Sequence, residues 1–346
     1  MKHLTKQEVK NVIDGKRTTE RIPNLCSFWV RPDSFEERKQ EMQVWRDHQV
    51  YDIDVCEMHM PSVSTGTQED PEYCWLPAGK TTAAQGALDS CIYIEDWEDT
   101  EFVNEMFEKF PSADSPSLLQ DKPLDHSKYI VGQWFYCLFE RHWSIRGMEN
   151  ALTDFYLYPE EVHRLYQKLT DFYIRAMERA KEEYNVDAIF TSDDIGTQTG
   201  PFFSLEFFRT FFKPYYKQMI DKAHELGIHF WLHTCGNVEP FLEDFIEIGL
   251  DVIHPIQKYT MDEKEIARKY GGRICFLVGF DVQRIIPFGT PNEVAIEARY
   301  LIETFSRPDG RFMMTMGNGS TRDWQKESLQ ALYDEIAKGD AISQAQ

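Results

Sequence analysis

The chain has 346 residues, with 37 lysines and arginines against 58 aspartates and glutamates, which gives a formal net charge of −21. This length suits two domains or one large α/β barrel, and a hydrophobic content of 42% provides material for a core of that size. Nucleic acids and anionic membranes are bound by concentrated basic surfaces, so the acidic balance argues against both as partners.

Neither the cysteines nor the N-terminal residues indicate secretion. The seven cysteines are scattered and no CxxC pair occurs, whereas a disulfide framework is typical of short secreted chains. Residues 1–17 lack the continuous apolar stretch of a signal peptide, and no apolar run approaches the roughly 20 residues of a membrane span. We therefore expect a cytoplasmic protein with reduced thiols.

Short apolar runs alternate with amphipathic segments, which predicts strands and helices in turn. The predicted strands are Cys26–Val30, Tyr51–Cys56, Tyr129–Trp134, Val186–Thr191, Ile228–Leu232, Val252–His254, Ile274–Val278 and Phe312–Met316. Residues 61–127 show little periodicity and are interpreted as an elaborated insertion within a single domain, 1–346. Repeated βα units predict a (β/α)8 TIM barrel, with an open doubly wound sheet as the alternative.

Two helix boundaries can be predicted from local residues. Pro214 should break or kink the helical segment Ser204–Leu226, because proline lacks the backbone N–H and its ring clashes one turn back. In Thr290–Glu293, a capping threonine is followed by proline and, three residues on, by glutamate. That combination predicts the start of a helix.

In such a barrel, functional side chains lie at the carboxyl ends of the strands. His233 and Cys235 follow the fifth predicted strand at alternate positions, so both side chains can face one point. An imidazole and a thiolate are good zinc ligands. A buried cysteine beside a hydrogen-bonded histidine is the simpler interpretation of the same pair.

Asp193 and Asp194 directly follow the fourth predicted strand. Paired carboxylates can position a substrate, share a proton or bind a metal, and either one can instead cap the following turn. Consecutive residues of an extended chain point in opposite directions. We therefore expect Asp194 to face the barrel mouth and Asp193 to serve the turn.

Other polar residues also follow predicted strands. His254 and Gln257, after the sixth strand, are candidate catalytic residues. These residues, and the polar residues after the seventh strand, can equally serve the turns in which they lie. The candidate substrate-binding residues are Trp29, Arg31, Gln198, Asp281, Gln283 and Asn318.

Several segments resemble the uroporphyrinogen decarboxylase family in its broad sense, which includes cobalamin-dependent methyltransferases. They are TSDDIGTQTGPFFSLEFFRTFFKPYYKQMI, WLHTCGNVEPFLEDFIEIGLDVIHPIQ, VGFDVQRIIPFGTPNEV and, near the N-terminus, GKRTTERIP. The resemblance covers nearly the whole chain and implies the barrel fold. True uroporphyrinogen decarboxylases carry an arginine-rich, RQAGR-like opening, and the matching stretch Ser27–Pro32 contains a single arginine, Arg31.

The methyltransferase branch is closer because of its His-x-Cys-Gly motif, which His233 and Cys235 match. In that branch, the resemblance implies a zinc held by this pair and a second cysteine near the end of the last strand. Asn318 or a neighbour takes that place here, and an amide is a poor zinc ligand. Either another residue supplies the third ligand or the metal has been lost. The candidate third ligands are Asp193, Asp194, Glu57 and His254.

The resemblance implies a methyltransferase that exchanges a methyl group between a small-molecule donor or acceptor and a corrinoid protein carrying cobalamin, with zinc as Lewis acid. The alternative activity is metal-free decarboxylation of a tetrapyrrole or a small carboxylic acid, in which Asp193 or Asp194 stabilises a developing pyrrole cation. A barrel that binds a corrinoid or methylated metabolite without turnover is a third hypothesis. The oligomeric state is open, with a homodimer as one option.

Overall fold

In a computed structural model of the chain, which describes residues 2–77, 92–119 and 122–339, seven strands form one sheet in chain order. The strands are β1 (Ile53–Glu57), β2 (Tyr129–Gln133), β3 (Ala188–Ser192), β4 (His229–His233), β5 (Val252–His254), β6 (Cys275–Phe280) and β7 (Phe312–Met316). All neighbouring strands are parallel. Parallel neighbours require crossover connections, so the sheet confirms the predicted βα units.

Helices form the crossovers along most of the chain. They are α1 (Lys6–Ile13), α2 (Lys39–Asp47), α3 (Thr100–Glu108), α4 (Phe139–Arg146), α5 (Met148–Leu157), α6 (Pro159–Tyr184), α7 (Leu205–Phe207), α8 (Lys213–Glu225), α9 (Leu242–Glu247), α10 (Glu263–Tyr270), α11 (Ile285–Phe288), α12 (Pro291–Phe305) and α13 (Lys326–Lys338). Within the described ranges, none of them has both the length and the apolar character needed to cross a membrane.

Both helix boundaries predicted from local residues are confirmed. Pro214 occupies the first turn of α8, and Phe208–Phe212 before it form a π-helical turn, so the long helical segment is interrupted where proline removes a backbone donor. At the start of α12, Thr290 and Glu293 form a reciprocal capping box, and Pro291 lies in the first turn.

The prediction of a strand at Cys26–Val30 is wrong, because Cys26–Phe28 form a 3-10 turn. Just upstream, Asn24 makes a single parallel bridge to Met314 of β7, and its carbonyl accepts a hydrogen bond from the Asp52 N–H at 3.2 Å. This segment lies between β7 and β1 but pairs at one position only. The described residues therefore form a curled, TIM-barrel-like sheet of seven strands that is not fully closed, in place of the expected eight-stranded barrel.

Aromatic packing gives a physical reason for this turn. The Phe28 ring packs edge-on against Phe190 of β3, with 5.2 Å between ring centroids, and against Trp231 of β4 at 6.4 Å. All three side chains are buried. Burial of one phenylalanine contributes roughly 1.5–3 kcal/mol, so this packing supports the turn where an extended segment would have paired as a strand.

The expected insertion at 61–127 is described only in part. Its Trp75 packs against Phe110 of the same segment and against Phe172 and Tyr173 of α6, with centroids 5.0–6.2 Å apart. Residues 78–91 and 120–121 lie outside the described ranges, as does the cysteine at position 91. The insertion and the single-domain organisation therefore stay predictions.

A buried charge network joins α4 and α5 to the segment before α3. The fully buried Asp154 carboxylate accepts hydrogen bonds from Arg146 Nε and Nη2 at 2.7 and 2.6 Å, from His142 Nε2 at 2.9 Å and from Trp97 Nε1 at 2.8 Å. Burial alone would raise the pKa of Asp154, but the hydrogen bonds from Arg146 and His142 outweigh it and hold the pKa at about 2. The network ties α4 to its neighbours.

Replacing Asp154 with asparagine should lower the free energy of unfolding by about 3–5 kcal/mol, because the buried Arg146 guanidinium loses its charge partner. Asp171→Asn, on the exposed face of α6, is the control and should change it by less than about 0.5 kcal/mol. Urea unfolding of the three proteins measures both effects. An Asp154→Asn variant as stable as the wild type would contradict the assigned role.

The same carboxylate predicts a pH dependence. Its pKa is about 2 in the folded protein against an ordinary value of 3.8, so its stabilisation is complete above the ordinary value and is lost as the pH falls through about 2. Between about pH 5 and about pH 2, the unfolding free energy of the wild type should fall more steeply than that of Asp154→Asn. The unfolding free energy of each protein is measured by urea titration at each pH. If it falls equally steeply with pH in the wild type and in Asp154→Asn, the low pKa assigned to Asp154 is disproved.

Candidate metal centre

Three side chains from the ends of β3 and β4 meet at one point. His233 Nε2 lies 3.5 Å from Asp194 Oδ1 and 3.3 Å from Cys235 Sγ, and one donor atom of each residue lies within 4.8 Å of the other two. In a tetrahedral zinc site of ordinary bond lengths, ligand atoms are roughly 3.3–3.6 Å apart. The two distances from His233 Nε2 match that spacing.

Strand register explains why these residues meet. Ser192 of β3 pairs with His233 of β4, which in turn pairs with His254 of β5. The residues just beyond the strands therefore leave the sheet side by side. The Cys235 N–H donates to Asp194 Oδ1 at 2.7 Å, which joins the two strand ends directly.

A close backbone contact holds the loops after β3 and β4 together. Gly236 has a φ of +85°, and a Cβ there would lie 2.4 Å from the Gly196 carbonyl carbon and 2.5 Å from its oxygen. Next to this contact, the Asn237 N–H donates to Thr197 O at 2.7 Å. Glycine alone suits both the left-handed conformation and the close approach, so this contact fixes the loop carrying Cys235 against the loop carrying Asp194.

His254 determines which nitrogen of His233 carries a proton. His254 Nε2 donates to Met316 O at 2.9 Å, and burial together with the neighbouring His233 lowers the pKa of His254 well below its ordinary value. The neutral His254 ring thus presents an unprotonated Nδ1 to His233 Nδ1, which lies 2.6 Å away and must donate. Because burial also lowers the pKa of His233, its Nε2 is left unprotonated and faces the cluster.

The Cys235 thiol completes the cluster. Burial, and then the charge of Asp194, raise the pKa of this thiol, so without a cation the S–H donates to His233 Nε2. A bound cation would favour the thiolate instead. Asn318 lies with its Nδ2 3.9 Å from Sγ, and Asp194 provides the third donor atom.

Asp193 points away from this cluster and caps α4. Its buried carboxylate accepts the backbone N–H groups of Leu138 and Phe139 at 3.1 Å and of Glu140 at 2.8 Å, and the Tyr216 O–H at 2.6 Å. Burial raises the pKa of Asp193 to about 6, although these hydrogen bonds act in the opposite direction. The two aspartates thus occupy different environments, and the catalytic role of Asp193 stays a prediction.

The remaining candidate third ligands lie outside the cluster. His254 lies behind His233, with both ring nitrogens already in hydrogen bonds. Glu57, at the end of β1, is exposed and lines a separate cavity. Of the four candidates, only Asp194 belongs to a group of potential metal ligands in the described part of the chain.

A cavity of about 160 Å³ opens beside Cys235. Within it, Gln257 Oε1 also accepts the Gly236 N–H at 2.6 Å, and Asp281 Oδ1 accepts the Gln283 N–H at 2.8 Å. These two side chains therefore shape their own loops, and contacts with substrate stay predictions. The predicted site residues that line this cavity are Gln198, Gln257, Asp281, Gln283 and Asn318.

Trp29 and Arg31 do not line this smaller cavity. Trp29 is buried and stacks on His254, with ring centroids 5.3 Å apart and planes 14° apart, and its centroid is 5.4 Å from that of His233. It therefore packs on the two histidine rings. Arg31 is exposed and lines a second cavity, of about 960 Å³.

The sequence analysis missed the loop after β2. Tyr136 has a φ of +66°, which is unusual for a residue other than glycine, and its N–H donates to Ser192 Oγ at 3.1 Å. Ser192 Oγ in turn donates to the buried Glu140 carboxyl, whose pKa is raised well above its ordinary value by burial and by the charge of Asp194. The adjacent charged residues Glu140 and Arg141, soon after a predicted strand, were the signal available in the sequence.

Residues 143–339, more than half of the chain, match the model of the family described as "Uroporphyrinogen decarboxylase (URO-D)". A methyltransferase from Methanosarcina mazei has a TM-score of 0.59 and 16% identity, covering 97% of this chain and 99% of that one. An L-ribulose 3-epimerase has a TM-score of 0.46 and 7% identity, covering 94% and 96%. A psychrophilic family 10 endo-beta-1,4-xylanase has a TM-score of 0.43 and 10% identity, covering 88% and 96%.

Functionally curated proteins give no match to this chain. The similarity to the Methanosarcina protein extends over the whole of both chains but, at 16% identity, supports the fold alone. The family match includes β3 to β7 and both loops that form the cluster. On this evidence, the chain belongs to the uroporphyrinogen decarboxylase family.

Proposed function

We propose that this protein is an enzyme that transfers a methyl group between a small molecule and a corrinoid protein carrying cobalamin, with a zinc ion held by His233, Cys235 and Asp194. The observation that carries the proposal is the hydrogen-bond relay that leaves the His233 Nε2 lone pair facing Sγ and Oδ1. The proposal takes its reaction class from the methyltransferase that shares this fold, and family membership supports an enzyme.

The donor atoms suit zinc. One nitrogen, one sulfur and one oxygen form a mixed set typical of zinc, whereas calcium and magnesium prefer oxygen ligands. Three protein ligands leave a fourth position for substrate, as in catalytic zinc sites. When bound, the metal supplies Lewis-acid chemistry at a methyl ether oxygen or stabilises a substrate thiolate.

The other residues act on these ligands or on the substrate. His254 positions His233 through Nδ1, and losing such a partner typically costs 10–100-fold in metal affinity. Gln257 positions the Cys235–Gly236 backbone. Substrate would enter the cavity beside Cys235, where polar groups can fix its orientation. The proposed substrate contacts there are Gln198, Asp281, Gln283 and Asn318.

A metal-free decarboxylase is the less favoured activity. Stabilising a developing pyrrole cation requires a carboxylate free to face the substrate. Asp193 is occupied by four hydrogen bonds, and one oxygen of Asp194 accepts the Cys235 N–H.

We expect about one zinc per chain in protein purified without chelator or histidine tag, measured by elemental analysis. Cys235→Ser and Asp194→Asn should each weaken zinc binding by at least about 10-fold, because each removes an anionic donor. Cys74→Ser is the matched control, since that buried cysteine lies outside the cluster. Full zinc content in the two site variants would place the metal elsewhere and remove the basis of the proposal.

The activity itself is tested with the zinc-loaded protein, free cob(I)alamin and a panel of methyl ethers and methyl thioethers, followed by the change in cobalamin absorbance. Zinc-dependent methylation of cobalamin is the expected result. Loss of carboxyl groups from uroporphyrinogen by the zinc-free protein in an anaerobic assay would instead establish the decarboxylase.

The two aspartates should respond differently to the same change. Asp194→Asn should lower activity by about 10²-fold or more, because it removes a charge from the cluster. Asp193→Asn places an amide against backbone donors, and it should lower the free energy of unfolding by about 2 kcal/mol or more while zinc content is kept. Thermal unfolding, elemental analysis and turnover of both variants measure these effects. Two variants with full turnover would disprove a catalytic role for the cluster.

A further inference from the structure

The larger cavity, of about 960 Å³, lies along β1, β2 and the loop after β2. Aromatic side chains supply much of its apolar lining: Phe28, Trp134, Phe135 and Tyr136. It adjoins the metal centre through Trp29, whose ring centroid is 5.9 Å from that of Phe135 and 5.4 Å from that of His233. The function proposed above uses none of the buried polar groups in this lining.

Arg141 is a buried cation in this lining that forms no ion pair with a described residue. It is 6% exposed, its Nη1 donates to Ser144 Oγ at 3.3 Å, and its Nε has no partner. The Tyr173 hydroxyl and, from beyond ion-pair distance, the Glu140 carboxyl also act on the guanidinium. No carboxylate in the described part of the chain is at ion-pair distance from it, whereas Arg146, the other buried arginine, is paired with Asp154. A buried charge is costly unless it is paired, so the cavity contains a cation that a bound anion would neutralise.

The surroundings of Arg141 hold its guanidinium in place. The guanidinium carbon lies over the Trp75 ring at 5.0 Å and over the Tyr136 ring at 5.4 Å from the centroids. Gln133, at the end of β2, lines the same cavity and has a buried amide nitrogen without a partner. Unpartnered buried donors are uncommon in native proteins, and here a cationic and a neutral donor line one cavity.

Charges of both signs line the rest of this cavity. The carboxylates of Asp33, Asp54 and Glu57 are balanced by the basic side chains Arg31, Arg46, Lys122 and Lys128, so the ligand's charge is inferred from the buried Arg141. A single carboxylate matches one guanidinium in charge and in planar geometry. The aromatic lining favours an apolar, ring-shaped body behind that carboxylate.

We propose that this cavity binds a small aryl carboxylate, with its anionic group on Arg141 and Gln133 and its ring against Phe28, Phe135 and Tyr136. The proposal depends on the proposed function only in taking this ligand as the substrate of the methyl transfer. Binding at Arg141 itself requires neither zinc nor cobalamin.

The test compares benzoate, phenylacetate and 3-phenylpropionate with their neutral amides, using calorimetry and ligand-observed NMR on the full chain freed of zinc. At least one acid should bind at least about 10-fold more tightly than its amide, since only the acid neutralises the buried charge. Inorganic phosphate should fail to compete. Competition by phosphate at equal concentration would show a general anion site and overturn the proposal of an aryl carboxylate.

Arg141→Gln should abolish the preference for acid over amide, and Gln133→Leu should weaken acid binding several-fold while the charge remains. Lys122→Gln is the control, because this exposed lysine lines the same cavity but already contacts Val55 O and Asp54; it should keep the preference. Thermal unfolding verifies that each variant is folded. If the Arg141→Gln variant does not fold, Gln133→Leu still tests the site.

Three results would overturn the proposal. They are equal affinity for acid and amide, no binding of any acid, and a folded Arg141→Gln variant that still prefers the acid to its amide as strongly as the wild type does. Because binding is measured without zinc, its failure is distinguishable from failure of the methyl transfer. Absent methyl transfer with intact acid binding would instead reject the proposed reaction and leave this site standing.

Discussion

Two imidazole rings share one hydrogen bond at the centre of the candidate site, and the position of its proton decides what the site can bind. An isolated histidine beside a carboxylate would place its proton on the nitrogen facing that carboxylate. His233 is prevented from doing so, because its Nδ1–H donates to His254 Nδ1, and His254 is held in that tautomer by donating its Nε2–H to Met316 O. Nε2 therefore keeps a lone pair toward Asp194 and Cys235, which is the state a metal ligand requires. Without His254, the same three residues would form an ordinary hydrogen-bonded cluster.

In the proposed zinc site, Asp194 in place of the second cysteine that the family resemblance implies would change the character of the ligand set more than its charge. Cys235 as thiolate and Asp194 as carboxylate would together cancel the two positive charges of a zinc ion, as two thiolates would. An oxygen ligand is harder than sulfur and donates less electron density, so a zinc ion held there would keep more of its Lewis acidity. Asp194 also follows β3, next to β4 in the sheet, whereas the place that the resemblance implies for the second cysteine, at Asn318 or a neighbour, follows β7. The site is thus built from neighbouring strand ends that the Gly236–Gly196 contact holds together.

The sequence predicted the seven strands of the sheet well, because each one is a short apolar run between a helix and a polar turn. Cys26–Val30 has the same apolar composition, but Phe28 packs inward on Phe190 and Trp231, and composition does not distinguish a strand from a buried turn. The third donor atom of the cluster required three dimensions. Alternation along the extended chain separated Asp194 from Asp193 in the sequence, but it could not choose Asp194 over Glu57 or His254. The pairing of Ser192 with His233 and the backbone donors that occupy Asp193 settle where the two aspartates lie. The sequence did not single out Arg141, because its burial and the absence of an ion-pair partner can be seen only in the structure.

The net charge of −21 describes the chain as a whole and gives little information about the mouth of the sheet. Acidic groups gather at the end of β3 and the start of α4, where burial and the charge of Asp194 raise the pKa of Glu140. That concentration favours a cation. One loop away, Arg141 is buried among aromatic rings and favours an anion. A substrate with a negative end and a neutral, transferable group would experience opposite fields across the site. Its anionic end would be drawn to Arg141 and repelled by Asp194, so the electrostatics alone would tend to direct the neutral end toward the metal centre.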